Sequence, residues 1–407
     1  MKINKCRSCK SKKLEKAFNL GNQYLTGIFP EHKKQSITKG FLSLVICKNC
    51  SLLQLEHSFD TGEMYGDNYG YMSSLNKAMF DHLKNKVSKL KKKINLISKD
   101  LIIDIGSNDG TFLGFFEKKY KLVGIDPTIK KFHKFYKKNI LKIPEFFSEE
   151  TIKKILGTKK AKLITSISMF YDLPDPIKFA EDIYNCLDKN GLWHLEQSYM
   201  PSMIKNFSYD TICHEHLEYY SLKSINYILN QVGFKIIDIE FNEINGGSFA
   251  LTVAKKGSFH KEDKKTVQWL LQKEEILNCN KLETHKNFYK ECLKQKLLLI
   301  DLLKNLKDMK KKVFGYGAST KGNVILQFCN INENLLPYIG EVNKYKFNRF
   351  TPGSKIKIIP ENKLKNMKPD YLLVLPWHFK NFIIKKEQKF LSNGGKLIFP
   401  LPDIEII

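Results

Sequence analysis

The chain has 407 residues, 42% of them apolar, enough to bury more than one hydrophobic core, and a formal net charge of +26. There is no run of about 18 apolar residues, and Met1-Lys2-Ile3-Asn4-Lys5 leads into a cysteine pair instead of an apolar stretch, which argues against a membrane span and for a cytoplasmic protein. Lysine is spread through every segment without an aromatic-interleaved basic repeat or a recognition-helix signature, so the expected partner is a small molecule, with no nucleic acid and no membrane, and the chain is read as a monomer or weak dimer.

Residues 1–75 read as a small metal-stapled module. Cys6-x-x-Cys9 and Cys47-x-x-Cys50 are two thiolate pairs, each able to form a tight knuckle, and four sulfurs complete a tetrahedral zinc sphere with no position left for water. Such a site is structural. Nine cysteines in a chain of this length do not read as a disulfide framework. From about 76 to 95, Met79, Phe80, Leu83, Val87 and Leu90 recur at helical spacing among lysines.

Residues 76–256 alternate short apolar strands with helical stretches. Strands are expected at Leu101 to Ile105, Leu122 to Ile125, Leu163 to Ile167, Gly191 to Glu196, Lys235 to Ile239 and Ser248 to Val253, the pattern of a doubly wound α/β sheet. Residues 257–312 form a helical connector, with one long helix or two in series from 262. Residues 313–407 begin a second α/β set, with strands near Val313 to Gly315, Tyr338 to Val342, Tyr371 to Leu375 and Lys396 to Phe399.

The first strand of the larger α/β set runs into Asp104-Ile-Gly106-Ser-Asn108-Asp-Gly110-Thr-Phe-Leu. Its glycines let the backbone turn sharply and present free amides to a ligand at the strand end and helix N-terminus. An acid before a single G-x-x-x-G gives a wider turn than the dinucleotide signature and suits an amino-acid tail, favouring S-adenosylmethionine over NAD. Asp126, in Gly124-Ile-Asp126-Pro, supplies a carboxylate for the ribose hydroxyls. Phe146 and Phe147 are candidates to cover the adenine.

Titratable side chains concentrate in Asp210-Thr-Ile-Cys213-His214-Glu215-His216-Leu-Glu218-Tyr219-Tyr220-Ser221. An imidazole beside a carboxylate has the properties of a general base, while His214-x-His216 also has the look of a metal-ligand pair but lacks a third ligand at a recognised spacing. Tyr65, Tyr69 and Tyr71 make a second polar aromatic cluster, suited to a domain interface or to a loop over substrate.

The chain resembles the sugar-nucleotide C-methyltransferase family of deoxysugar biosynthesis. The resemblance rests on the two cysteine pairs, Asp104 to Leu113, Asp126-Pro127, Glu215-His216, Gly246-Gly247-Ser248, Gly315-Tyr-Gly317-Ala-Ser-Thr-Lys-Gly322, Thr351-Pro-Gly353 and Leu375-Pro-Trp377-His378, and it covers nearly the whole chain. It implies a zinc-binding domain, a class I methyltransferase core and a C-terminal Rossmann-like domain. It also implies methyl transfer to the carbon next to the ketone of a nucleoside-diphosphate ketosugar, for surface polysaccharide or glycoconjugate assembly.

By this resemblance His216 is the base and Glu215 orients it, with His214 and Tyr71 also counted among the catalytic residues, and Tyr71 and Tyr69 contact the sugar. Gly317, Lys321 and Gly322 cradle the diphosphate, and Trp377 and His378 line the sugar cleft. The sequence departs from the family pattern at Cys213, where a tyrosine is usual, and at Asn245 and Ala250, where a histidine and an arginine are common. Methylation of oxygen or nitrogen on a related small molecule is the alternative. A zinc-ribbon nucleic-acid-binding protein and a nicotinamide oxidoreductase rank behind both.

Overall fold

In the computed structural model, which describes residues 1–65 and 70–407, the strands fall into three sheets. In the first segment β1 (Leu14–Tyr24), β2 (Lys39–Cys47) and β3 (Leu53–Leu55) form an antiparallel meander whose inward residues, among them Phe18, Leu42, Leu44, Leu53 and Leu55, are buried. Helix α1 (Lys77–Lys93) follows. The Asn76 side chain accepts from the amides of Ala78 and Met79 to cap it, and its apolar stripe of Met79, Leu83, Val87 and Leu90 is buried.

The central segment supplies β4 (Leu101–Ile105), β5 (Lys121–Ile125), β6 (Ile140–Ile143), β7 (Ala161–Ile167), β8 (Leu187–Ser198), β9 (Glu218–Tyr219), helix α2 (Leu222–Val232), β10 (Phe234–Asn242) and β11 (Ser248–Lys255). Its seven-stranded sheet has the order β10-β11-β8-β7-β4-β5-β6. Strands β4 to β8 are parallel, and β11 lies antiparallel between β8 and β10. Strand order therefore reverses at β4, and in such sheets the crevice beyond the carboxyl ends at the reversal receives the ligand.

The connector is two helices in series, α3 (Lys264–Ile276) and α4 (Leu282–Asp308), broken where Asn278 takes a left-handed φ of 50°. The last segment holds β12 (Val313–Tyr316), helix α5 (Thr320–Phe328), β13 (Tyr338–Glu341), β14 (Lys357–Pro360), β15 (Tyr371–Val374), β16 (Lys396–Phe399) and β17 (Glu405–Ile406), in the order β14-β13-β12-β15-β16-β17. All pairs are parallel except β16 with β17. This second sheet reverses at β12, which places the Gly317 loop at its own ligand crevice.

The first segment does not stand apart. Strand β9, from within the central segment, pairs antiparallel with β3, with Leu53 opposite Tyr219 and Gln54 opposite Glu218, so that the four-stranded sheet β1-β2-β3-β9 is completed by the chain that has just passed His216. One apolar core runs from Phe18, Leu42 and Leu53 through Tyr209 and Ile212 to Val324 and Leu372. A second joins Cys6, Cys47 and Cys50 to the central sheet. Among the described residues no helix is long and apolar enough to cross a membrane.

Candidate active site

The four sulfurs of Cys6, Cys9, Cys47 and Cys50 lie within 4.8 Å of one another, with 3.6 Å between Cys6 and Cys50 and 3.5 Å between Cys9 and Cys47. A zinc tetrathiolate with bonds of about 2.3 Å has S···S edges of about 3.8 Å, so the cluster fits the ion. Each knuckle is closed by a residue in the left-handed region, Lys10 (φ 58°) and Ser51 (φ 62°), whose amides donate to the carbonyls of Cys6 and Cys47. The Gln54 amide donates to the Cys6 sulfur at 3.2 Å. The guanidinium of Arg7, next in sequence, is buried against Glu218 at 3.8 Å and donates to the carbonyl of Leu55. Zinc chemistry is thereby tied to both β3 and β9.

At the reversal of the central sheet lies a cavity of about 490 Å³ lined by Asp104, Gly106, Asn108, Asp126, Phe146 and Met169, with Tyr71 and Ser168 on its rim. The loop after β4 turns through Gly106 (φ 70°), Asn108 (φ 50°) and Gly110 (φ 74°). A Cβ on Gly110 would stand 2.7 Å from the Tyr136 ring, whose hydroxyl holds the loop through the Ser107 hydroxyl at 2.7 Å and the Asn108 carbonyl at 3.0 Å. Asp104 is buried; desolvation pushes its carboxyl up to about 7 against a 2.6 Å bond from the Thr165 hydroxyl. Asp126 accepts from the Thr128 amide and hydroxyl at one oxygen, and from the Asn108 amide at 2.8 Å at the other, which keeps a lone pair for a ligand.

Phe146 stands 58% exposed at the cavity, whereas Phe147 packs its ring against Phe179 and serves the core as well as the lining. Two buried acids, a glycine-lined turn and an exposed aromatic ring are the donor set that a cationic amino-acid nucleoside requires, so the residues fit S-adenosylmethionine.

Segment 70–76 is strapped across this loop. Asn108 donates to the Tyr71 carbonyl at 3.1 Å and accepts from the Ser73 amide at 3.0 Å, and Asp109 accepts from the Ser74 amide at 3.0 Å. On the far side Asn343, just after β13, donates to the Gly70 carbonyl at 3.0 Å. Tyr71 is half-exposed at the cavity rim; Tyr69 lies outside the described residues, as does the side chain of Tyr65.

His216 sits where the central and last segments meet. Its Nδ1 is 2.7 Å from the Thr211 carbonyl, which makes Nδ1 the donor and leaves Nε2 as the acceptor; Tyr171 packs on the ring at 4.2 Å. Burial, with Lys321 nearby, pushes the imidazole down to about 3, so it is neutral at physiological pH. Around it Lys321 donates to the Asn245 carbonyl at 2.7 Å and the Thr211 hydroxyl at 3.3 Å, and the Trp377 indole donates to Asp210 at 2.8 Å. His378 packs edge-on against Trp377.

Three of the expected residues make contacts other than those expected of them. The Glu215 carboxylate accepts from the Thr26 hydroxyl at 3.3 Å, while the Thr211 carbonyl holds the His216 imidazole. His214 is fully buried, with Nε2 on the Gly40 carbonyl at 3.2 Å and its ring against Phe59, where it joins the first segment to the second. Lys321 does not reach around its own loop but points into the central segment. The amide of Ala318 in that loop is taken by Glu341 at 2.9 Å, Gly322 donates to the Ser319 hydroxyl, and a Cβ on Gly317 would meet Pro376 at 2.8 Å.

Sequence reasoning passed over Asp210 and Thr211 as individual site residues because their contacts come from α5 and the Trp377 turn, far along the chain. It passed over Ser168 because a serine ending a buried strand carries no pattern. The left-handed φ of Ser168 (56°) and Asn245 (58°) and the 3.2 Å bond between their side chains appear only in three dimensions.

Three family models match in succession: a zinc binding domain over residues 6–65, a methyltransferase domain over residues 75–239, and a C-methyltransferase C-terminal domain over residues 243–402. The C-methyltransferase NovU of Streptomyces niveus is 27% identical over 409 residues, covering 100% of this chain and 97% of that protein. Among solved structures, a SAM dependent methyltransferase from Aquifex aeolicus is 18% identical over 45% of this chain and 98% of its own, with a TM-score of 0.32. An S-adenosylmethionine-dependent methyltransferase from Clostridium acetobutylicum is 14% identical over 43% and 92%, with a TM-score of 0.34. With a zinc-binding domain, a methyltransferase domain and a C-methyltransferase C-terminal domain matched one after another along its length, the chain is an S-adenosylmethionine-dependent methyltransferase.

Proposed function

We propose that the acceptor is a nucleotide-activated ketosugar, methylated through an enolate at the carbon next to its ketone, in a route to surface polysaccharide or glycoconjugate. The observation that carries this reading is the neutral His216, its tautomer fixed by the Thr211 carbonyl, at a junction joined to the cofactor cavity through Asn245 and Ser168. A hydroxyl or amine acceptor carries its own nucleophilic lone pair, whereas a carbon acid needs a positioned base before it can attack. The likeness to NovU, a C-methyltransferase, supports the same acceptor atom.

Asp104, Gly106, Asn108, Asp126 and Phe146 would hold S-adenosylmethionine, which would supply an electrophilic methyl group when bound. His216 Nε2 receives the proton that leaves the acceptor carbon. Tyr71 closes the cavity rim against water, and Trp377, fixed by Asp210, walls the cleft on the side of the last segment.

The test is turnover of the zinc-replete protein with S-adenosylmethionine and nucleoside-diphosphate ketosugars deuterated next to the ketone, with products read by NMR. A new C–CH₃ group, loss of the deuterium, and abolition of both by His216→Asn with cofactor binding intact are expected. A methyl on oxygen or nitrogen with the deuterium retained would overturn the carbon reading, and turnover restricted to acceptors without a nucleotide would overturn the substrate class.

A further inference from the structure

We infer that Lys321 is the hydrogen-bond donor to the enolate oxygen, forming with His216 the pair that makes and stabilises the carbanion, rather than a ligand of the diphosphate. This rests on the enolate reading above and names the residue that reading leaves open.

Lys321 opens α5 in the last segment, yet both of its contacts are made to the central segment: the Asn245 carbonyl at 2.7 Å and the Thr211 hydroxyl at 3.3 Å. Thr211 is also the residue whose carbonyl fixes His216 at 2.7 Å, so the cation and the base are anchored on one residue. The Asn245 side chain in turn bonds the Ser168 hydroxyl at 3.2 Å, and Ser168 lines the cofactor cavity. Lys321 thus stands at the junction of base and methyl donor, away from the Ala318 amide, which is already occupied by the Glu341 carboxylate at 2.9 Å.

Covalent geometry makes this placement meaningful. With C=O and C–C bonds of about 1.23 and 1.52 Å, the carbonyl oxygen lies roughly 2.4 Å from the carbon that loses its proton, so the oxygen's donor and the base must be near neighbours. The diphosphate hangs from the anomeric carbon and has no such requirement. An ammonium has three donors; two are engaged, which leaves one for a ligand oxygen. When the C–H bond breaks, the proton goes to His216 Nε2, its electron pair forms the C=C bond, and the carbonyl pair moves to oxygen, where a fixed cation in a dehydrated cleft stabilises it most. Burial pulls the Lys321 amine down from its ordinary value, and the Asp210 carboxylate, pinned by Trp377, opposes that shift.

The half-reaction tests this without methyl transfer. Full-length, zinc-replete protein with S-adenosylhomocysteine is incubated in D₂O with a thymidine-, uridine- or guanosine-diphosphate 4-keto-6-deoxyhexose, and exchange next to the ketone is followed by NMR. Titration of the free nucleoside diphosphate by calorimetry runs alongside. Lys321→Met is expected to slow exchange at saturation by on the order of 10²–10³, with diphosphate and S-adenosylhomocysteine affinities within about twofold of wild type, and Lys321→Arg to recover part of the rate. Unchanged binding of S-adenosylhomocysteine certifies the fold of each variant.

Exchange in Lys321→Met at the wild-type rate, or a tenfold or greater loss of diphosphate affinity with the saturated rate intact, would overturn the inference while leaving the enolate reading standing. Methylation by wild type with no exchange into any of these probes, and with the deuterium next to the ketone retained, would remove both.

Discussion

Asp104 lies one residue before the end of a fully buried strand, and its carboxyl is pushed up to about 7 by desolvation, so the ligand-free protein at neutral pH holds it partly protonated. An unfolded aspartate titrates near 3.9; the folded form therefore binds the proton more tightly, and this residue's contribution to stability declines as pH rises from about 4 to 7. S-adenosylmethionine carries an ammonium and a sulfonium and favours the carboxylate. Cofactor binding at pH 7 is thus expected to release about half a proton, read as a dependence of the calorimetric enthalpy on buffer ionisation heat and absent in Asp104→Asn. Asp126→Ala is expected to lower cofactor affinity by about a hundredfold in the same titration, because it removes the carboxylate proposed to hold the ribose and frees the Asn108 amide that shapes the loop.

His216 has the opposite sign to Asp104. It is pushed down to about 3, so its contribution to stability is complete above about 6.5 and is lost as pH falls toward 3. With S-adenosylmethionine saturating, so that Asp104 is held as the carboxylate, the pH profile of kcat/KM for the acceptor should therefore lack an acid limb near 6.5. An imidazole limb there would show that His216 is solvated and not the fixed acceptor described.

At the scale of elements, the zinc knuckles reach His216 through a strand two residues long. Cys50 leads into β3, β3 pairs with β9, and β9 begins two residues after His216, while Arg7 beside Cys6 braces Glu218 in β9. Structural zinc contributes about 10–16 kcal/mol to the folding of a small domain. Cys50→Ser, or removal of zinc by a chelator, is expected to lower kcat at least tenfold and to expose the β3 and β9 amides to hydrogen exchange, with cofactor affinity within about threefold of wild type. Retained kcat in metal-free protein would show that β9 holds His216 without the knuckles.

The cysteine spacing was readable because metal chemistry restricts it, and α1 because its apolar stripe repeats at 3.6 residues. Strand β9 was not, since two residues carry no period. Strands β6 and β14 also escaped notice, each a four-residue run that reads as well for loop as for strand. The residues around His216 were legible as a dense polar run, but their roles were not: Glu215 and His214 face the first segment and Thr211 turns toward the imidazole, and those directions are set by tertiary packing.

For the whole molecule, both sheet reversals were foreshadowed by glycine-bearing turns after apolar strands, whereas the joint between them was not, because a contact between Asn343 and Gly70 leaves no trace in local pattern. That joint makes one machine of two α/β segments. The strap at 70–76 is gripped at Tyr71, Ser73 and Ser74 by Asn108 and Asp109 of the cofactor loop, and at Gly70 by Asn343 of the last segment. A ligand that fixes the cofactor loop therefore fixes the strap and lowers the cost of ordering the second crevice, which is a coupling free energy between the two sites. S-adenosylhomocysteine is expected to tighten binding of a nucleoside-diphosphate ketosugar by about 5–150-fold, and linkage requires the sugar nucleotide to tighten S-adenosylhomocysteine by the same factor. Asn343→Ala, which frees one end of the strap and touches neither Asp126 nor His216, is expected to cut that factor by more than half while each ligand alone binds within about twofold of wild type. Calorimetric titration of each ligand with and without the other measures all four affinities. An undiminished factor in Asn343→Ala would mean that the coupling runs instead through Ser168, Asn245 and Lys321, the other polar chain joining the two segments.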